Sequence, residues 1–459
     1  VNRDLRSATR GSDGPGGGRV LDVADGERGE AGGRWFAHPR ARTIATTLLG
    51  VSVLIRLLWM LLAPNGMNLV DLHVYVKGAA ALGSGHLYDF TYADHTPDFP
   101  LPFTYPTFAA VVFWPLHFLP FGVVAVLWLL LIAAALYAVV RISLGLILGD
   151  AANDRRWRTA AVGWTAVGLW MEPVRTTIDY GQVNVFLVLA VMVAVRSKRW
   201  WWSGLLVAIA AGIKLTPAVT GLYFLARRRW ASVLASAVGF FATMGLSFAI
   251  SPRETRTYFG PLIGDAHRIG PVGSVINQSL RGALSRLLGH DAGAPWYLHG
   301  HRIPFGPWWI AWVLIVAVLA VLAWRALDSD DRLGTLLVVQ LFGLMASPIS
   351  WTHHWVWLLP LVLWLLYGPL REVTGARVLA GYWLLTTLVG VAWLLSFLQP
   401  TIWTISRSGI LSWLGAVDVI GVLAFYLWLI WVRRDRLGVR LSAAAPADRS
   451  DAPAPHPAG

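Results

Sequence analysis

Apolar runs approaching 20 residues recur from one end of the chain to the other, and short polar stretches rich in Lys and Arg separate them. A run of about 20 apolar residues suits a helix that satisfies its own backbone within hydrocarbon, and it lacks the strict alternation of a barrel strand. The pattern predicts an all-α, polytopic transmembrane helical bundle. Candidate spans fall near 42–63, 121–148, 158–173, 182–196, 201–212, 214–226, 230–250, 307–327, 333–347, 351–369, 376–398 and 409–432, about 12 in all. Several are short, above all the pair from Trp201 to Ala226. The apolar stretch from Tyr105 to Leu119 is interrupted by Pro106 and Pro115, with Pro120 just beyond, and reads as a re-entrant or juxtamembrane helix.

The basic residues orient these spans, because short cytoplasmic loops hold an excess of Lys and Arg. Arg155, Arg156 and Arg158 fall in one loop, Arg196, Lys198 and Arg199 in the next, and Arg227, Arg228 and Arg229 in a third. Arg433, Arg434 and Arg436 follow the last span. Both termini are therefore expected in the cytoplasm of a multi-pass plasma (inner) membrane protein. Residues 1–39 and 437–459 read as disordered tails, rich in Gly and charge or in Ala and Pro. The membrane domain covers 40–436, and its first run lacks a convincing cleavage site, so it is read as a retained span. The opposite face receives two long loops, 64–106 and 251–307, and two polar turns, Glu172–Gly181 and Ser347–His354.

Composition agrees with this layout. Hydrophobic residues make up 56% and charged residues 14% of the 459 positions, and the mean hydropathy is +0.57. Many of the 26 Trp sit at run ends, where amphipathic rings favour the headgroup region. The formal charge of +13 is spread over loops and forms no contiguous basic domain, so no nucleic-acid partner is expected. The chain contains no Cys, which removes disulfides, thiolate metal sites and thiol nucleophiles together.

The polar clusters collect on the extracytoplasmic side. Asp71 follows the first span directly; if Asn68 caps a short helix, Asp71 lies in its first turn and Tyr75, Gly78 and Leu82 follow on the same face. An acid there serves equally as a helix-dipole partner or as a base for a sugar hydroxyl. In the second turn, Gly181 allows a sharp helix start that presents Gln182 and Asn184. Lys214 and Pro217 interrupt an apolar stretch, and an intramembrane Lys either snorkels or serves as the cation beside a phosphate. Asn277, Gln278, Ser279 and Arg281 offer donors suited to sugar hydroxyls and a phosphate. His353 and His354 diverge by about 100° if helical, so they form no natural chelating pair, and at least one of them is expected to face the site as a phosphate ligand while the other can pack. The first loop also holds His73, Asp89, Asp94 and His95, but no pair has the spacing of a metal cage, and no metal is expected.

Taken together, Asp71-Leu-His-Val-Tyr75, Tyr180-Gly-Gln-Val-Asn184, Ile213-Lys-Leu-Thr-Pro217, Asn277-Gln-Ser-Leu280 and Ser347-Pro-Ile-Ser-Trp-Thr-His-His354 resemble glycosyltransferase family 87, of the GT-C fold class. The resemblance runs from about Ala41 to Arg434 and leans towards the members that make higher phosphatidylinositol mannosides. It implies an enzyme that transfers mannose from polyprenyl-phosphate mannose to a phosphatidylinositol mannoside, forming an α-(1→2) linkage on the extracytoplasmic side. It maps the family's general base to Asp71 and implies donor or acceptor contacts from the other residues named. Many GT-C enzymes carry two acids near this position, whereas here no Asp-Asp or Glu-Asp pair exists, which fits a metal-independent monophosphate donor. A lipomannan or lipoarabinomannan mannosyl- or arabinosyltransferase of the same fold, or a lipid-linked sugar transporter or flippase, is the alternative. A transporter, however, usually shows internal repeats and ionisable residues near the bilayer midplane, whereas this chain gathers its polar clusters at one face and shows no detectable repeat.

Overall fold

The computed structural model describes residues 34–434 apart from 64–66, 97–98, 399–411 and 413. Both expected tails fall largely outside this range, although a short helix, Arg34–Ala37, occupies the end of the first. The last predicted span, 409–432, begins outside the described residues and is seen from Val417 to Val432.

Among the described residues four helices are long and apolar enough to cross a membrane: α1 (Pro39–Leu62), Phe121–Leu148 with its continuation to Asn153, Trp230–Ile250 and Pro307–Ala326. Sequence explains their ends. Proline stands in the first turn of α1 and of Pro307–Ala326, where a missing N–H costs nothing, and Gly149 at φ +59° closes Phe121–Leu148. Leu54, Leu61, Leu62, Leu234, Phe241, Leu314 and Val318 are exposed on them. Apolar surface on that scale is not left to water, so the chain is an integral membrane protein.

The interior is made by shorter helices. After α2 (Val70–His73), α3 (Thr107–Phe113) and α4 (Phe121–Leu148) come α5 (Arg155–Gly168), α6 (Glu172–Tyr180), α7 (Asn184–Arg196), α8 (Trp200–Ile213) and α9 (Trp230–Ile250). Then follow α10 (Leu280–Leu288), α11 (Pro307–Ala326), α12 (Arg332–Ala346), α13 (Leu358–Tyr367), α14 (Ala376–Val389) and α15 (Val417–Val432). In α12 and α13 almost every side chain is buried, including Leu336, Leu341, Leu361 and Trp364. They form the centre of the bundle. Close packing elsewhere rests on small residues: a Cβ at Gly204 of α8 would lie 2.3 Å from Ala235 of α9.

Two expected helices are broken. The segment predicted as spans 201–212 and 214–226 is α8, an extended residue at Lys214, a 3₁₀ turn over Thr216–Val219 and a short helix to Ala226. The segment 376–398 restarts at Gly390, φ +74°, as Val391–Ser396. The segment after Tyr105 forms α3 and a 3₁₀ turn, Trp114–Phe118, as its prolines require.

The two long loops fold onto one another. The Glu254 carboxylate accepts from the backbone N–H groups of Gly83 (3.3 Å), Gly85 (3.2 Å) and Leu87 (3.1 Å), so the 251–307 loop is clamped to the 64–106 loop. Each loop carries a small hairpin, β1–β2 (Thr91–Tyr92 with Leu101–Pro102) and β3–β4 (Trp296–Leu298 with His301–Ile303). They are the only strands among the described residues.

Candidate active site

Asp71 sits in the first turn of α2, but Asn68 does not cap the helix as expected. Leu69 is the cap, in the left-handed region at φ 45°, while Asn68 Oδ1 only approaches the Val70 N–H at 3.5 Å. A leucine at positive φ is strained and persists where its surroundings over-determine it. Here the Leu69 N–H donates to the Asp179 carbonyl at 3.0 Å, and the Asp179 carboxylate pairs with Arg56 of α1 at 3.1 Å. Gly181 adds a steric requirement. Its φ is +70°, and a Cβ there would meet Leu72 Cβ at 2.5 Å. The end of α6 is thus pressed against α2, beside the carboxylate. Beyond α2 the backbone widens into a π-helical turn, Val74–Gly78, which carries Tyr75 inward.

Around Asp71 a polar chain runs through the bundle. Gln182 hydrogen-bonds to the Asp71 carboxyl. Its Oε1 accepts from Tyr75 (2.9 Å), Tyr105 (3.3 Å) and Asn184 Nδ2 (3.4 Å), and the two tyrosine hydroxyls are 2.8 Å apart. Lys214 Nζ donates to Asn184 Oδ1 at 3.0 Å, lies 2.8 Å from His354 Nε2 and stands 5.5 Å above the Tyr105 ring. The break after α8 makes this possible, since an extended Lys214 projects its side chain away from the helix path. Burial pushes the Asp71 carboxyl up to about 6, against the opposing pulls of the Gln182 hydrogen bond and the Lys214 charge. A carboxylate poised there is ionised near neutrality yet basic enough to take a proton.

Five residues expected to share this site, Tyr75, Gln182, Asn184, Lys214 and His354, do gather around Asp71. His353 lies next to His354, their ring centroids 4.8 Å apart, but turns the other way and meets the Tyr180 ring edge-on at 5.7 Å. Glu172 Oε1, Arg175 Nη2 and both His353 nitrogens are buried near this junction without a hydrogen-bond partner among the described residues. Groups of that kind suit the hydroxyls of a sugar.

The Asn277–Arg281 segment departs from expectation. Asn277 Oδ1 accepts from Ser350 N (2.9 Å) and Ser279 N (3.2 Å), and Asn277 Nδ2 donates to the Val272 carbonyl. Gln278 Nε2 donates to the Val275 (2.7 Å) and Gly415 (2.6 Å) carbonyls, and Ser279 Oγ caps α10 at Gly282 N. Arg281 makes a bidentate pair with Asp291 at 2.9 and 2.7 Å. These side chains are committed to the fold. The segment's backbone also braces Ser350–Thr352, through Gln278 N to Ser350 O and Thr352 N to Ile276 O, and so aims the histidines that follow.

Sequence reasoning missed Tyr105 and Arg56. Arg56 carries a usable signal, a charge deep in an otherwise apolar span; Tyr105, amid prolines, carries none. Among the described residues no three His, Asp or Glu side chains form a metal-binding group.

The glycosyltransferase family 87 model matches residues 103–348. A polyprenol-phosphate-mannose-dependent alpha-(1-2)-phosphatidylinositol pentamannoside mannosyltransferase of Mycolicibacterium smegmatis is 58% identical over 400 residues, covering 87% of this chain and 94% of the relative. The like-named protein of Mycobacterium tuberculosis is 55% identical over 402 residues, covering 87% and 90%. A polyprenol-phosphate-mannose-dependent alpha-(1-2)-phosphatidylinositol mannoside mannosyltransferase of the latter species is 34% identical over 308 residues, covering 64% and 69%. No solved structure matches at a significant level. With its family's match spanning more than half of its length and relatives aligned almost end to end, the chain belongs to glycosyltransferase family 87.

Proposed function

We propose that this protein is a membrane mannosyltransferase that moves mannose from polyprenyl-phosphate mannose to a phosphatidylinositol mannoside, forming an α-(1→2) linkage. The activities for which the long, highly identical relatives are named support donor, linkage and acceptor. The observation that carries the mechanism is the polar chain from Asp71 through Gln182 and Asn184 to Lys214 and His354. It holds a base at one end and a cation at the other.

A β-linked donor giving an α-linked product needs one inverting displacement. Asp71 takes the proton of the acceptor hydroxyl as that oxygen attacks the anomeric carbon, and the bond to the phosphate oxygen breaks on the opposite face. Lys214 and His354 meet the charge that develops on the departing phosphate. Gln182, fixed by Tyr75 and Tyr105, orients the carboxylate. General-base assistance supplies about 10²–10⁴ in rate, roughly 3–5 kcal/mol; positioning and charge stabilisation supply the rest. The phosphate is served by Lys and His, so we take the reaction to be metal-independent, with activity that survives chelation by EDTA.

We place the site on the extracytoplasmic face of the plasma membrane, in a GT-C bundle of about 12 spans with both tails in the cytoplasm. The short buried helices support that count, since helices enclosed by protein need not match the full thickness of lipid. The test is transfer by purified protein from radiolabelled polyprenyl-phosphate mannose to a phosphatidylinositol tetra- or pentamannoside, with the product's linkage read by NMR. An α-(1→2)-mannosyl product is expected. Transfer only to lipomannan, or none, would overturn the acceptor assignment.

A further inference from the structure

The β3–β4 hairpin stands apart from the reaction site. His299 and Gly300, at φ +48° and +82°, form its two-residue turn, the positive pair that lets the tightest hairpins close. Tyr297 lies opposite Arg302, and Leu298 opposite His301, so alternation sends one pair to each face of the ribbon. At the tip neither face is covered by the described chain: Tyr297 is 69% and Leu298 46% exposed. A two-stranded ribbon is marginal in water on its own.

The base of the hairpin is tied to a helix that faces lipid. Phe305, 52% exposed, follows β4 and packs its ring 6.1 Å from Trp309 in the first turn of α11. Arg281, held by Asp291, lies over the same Trp309 ring at 5.4 Å. On α11, Trp308, Leu314 and Val318 are exposed by 60%, 61% and 60%. Apolar side chains are thus exposed on α11, at Phe305 and at the hairpin tip, and Arg302, opposite Tyr297, brings a positive charge to that tip.

We propose that this hairpin is a phospholipid-binding element: Tyr297 and Leu298 enter the boundary between headgroups and acyl chains, and Arg302 pairs with a phospholipid phosphate. The aromatic ring and the arginine are suited to that zone, where one end of a group is apolar and the other wet. The element seats the outer loops against the bilayer from which both lipid-anchored substrates must come.

The Cys-free chain allows a direct test. Tyr297→Cys, Leu298→Cys and, as an aqueous reference, Asp94→Cys are each made in the full-length protein, spin-labelled, and reconstituted in phosphatidylcholine nanodiscs with and without anionic phosphatidylglycerol. Collision with oxygen and with an aqueous nickel chelate is measured by EPR power saturation. Labels at 297 and 298 are expected to meet the nickel chelate several-fold less often than the label at 94 and to meet oxygen more often. Arg302→Gln should move the 298 label towards water in the anionic discs. Nickel access equal to that at position 94 would overturn the proposal, as would protection seen in native membranes and lost in nanodiscs, which would make the occupant a protein. An unchanged 298 label in the Arg302→Gln protein would overturn the phosphate contact.

Discussion

Gln182→Met removes the amide beside Asp71 while keeping side-chain length, and its effect is specific because the two tyrosines do not depend on Gln182 alone. Tyr75 and Tyr105 remain 2.8 Å apart and bonded to one another, so the site should hold its shape. The Gln182 hydrogen bond lowers the Asp71 carboxyl, which burial has raised to about 6. Hydrogen bonds to a charged group contribute about 1.5–3 kcal/mol, and each pKa unit is about 1.4 kcal/mol. Asp71 is only partly covered, so the lower end applies, and losing the bond raises the carboxyl by about one unit. Asp71 must be ionised to act as a base, so activity rises with pH through this value. The acid limb of kcat/KM should shift from about 6 to about 7, with a loss of about fivefold at pH 6 and almost none at pH 8. The assay is mannosyl transfer across pH 5–8.5 with melting followed in parallel; about 1–3 kcal/mol of stability should be lost with the amide. A folded variant whose acid limb has not moved would refute the idea that Gln182 tunes the base.

Lys214→Ala should weaken use of the polyprenyl-phosphate donor by 10-fold or more with the fold intact, about 1.4 kcal/mol per factor of ten; unchanged donor kinetics would make Lys214 a snorkelling residue. Gly181→Ala must place a Cβ 2.5 Å from that of Leu72 at a positive φ, so it should cost about 1–3 kcal/mol and displace Asp71; a variant with wild-type melting and turnover would refute the packing argument. Cysteine placed at Ala294, exposed in the 251–307 loop, should react with a membrane-impermeant maleimide from the outside; labelling from the cytoplasm alone would overturn the topology.

The fold class was legible because lipid imposes one rule on every span, and runs such as 121–148 and 230–250 obey it almost to the residue. The clustering of Gln182, Asn184, Lys214 and His354 with Asp71 was legible as a list of motifs and illegible as a geometry, since only tertiary packing brings α7, the break after α8 and the segment before α13 together. Asn277, Gln278, Ser279 and Arg281 show the converse. Polar side chains in an outer loop look like ligand donors in sequence, yet a long loop must also satisfy its own buried carbonyls, and here that demand uses them. The short interior helices blurred the span boundaries, because enclosure by protein removes the length requirement that lipid sets. The strained Leu69 left no trace in the pattern, since it follows from contacts with Asp179 and Gly181, more than a hundred residues away.

The role proposed for Asp71 as general base is tested by Asp71→Asn. Asn keeps the size, and no helix cap is lost with the carboxylate, because Leu69 and not Asp71 is the cap of α2. The sign of the stability change is also fixed: a carboxyl raised from 3.8 to about 6 stabilises the fold below its unfolded pKa and progressively loses that contribution as pH rises through about 6. At neutral pH the Asn protein should thus be as stable as the native chain or more stable by up to about 1 kcal/mol after allowing for solvent screening. Turnover in transfer from polyprenyl-phosphate mannose to the phosphatidylinositol mannoside, measured on that folded protein at pH 7.5, should fall by about 10²-fold or more. A folded Asp71→Asn protein with near-native turnover would rule Asp71 out as the base.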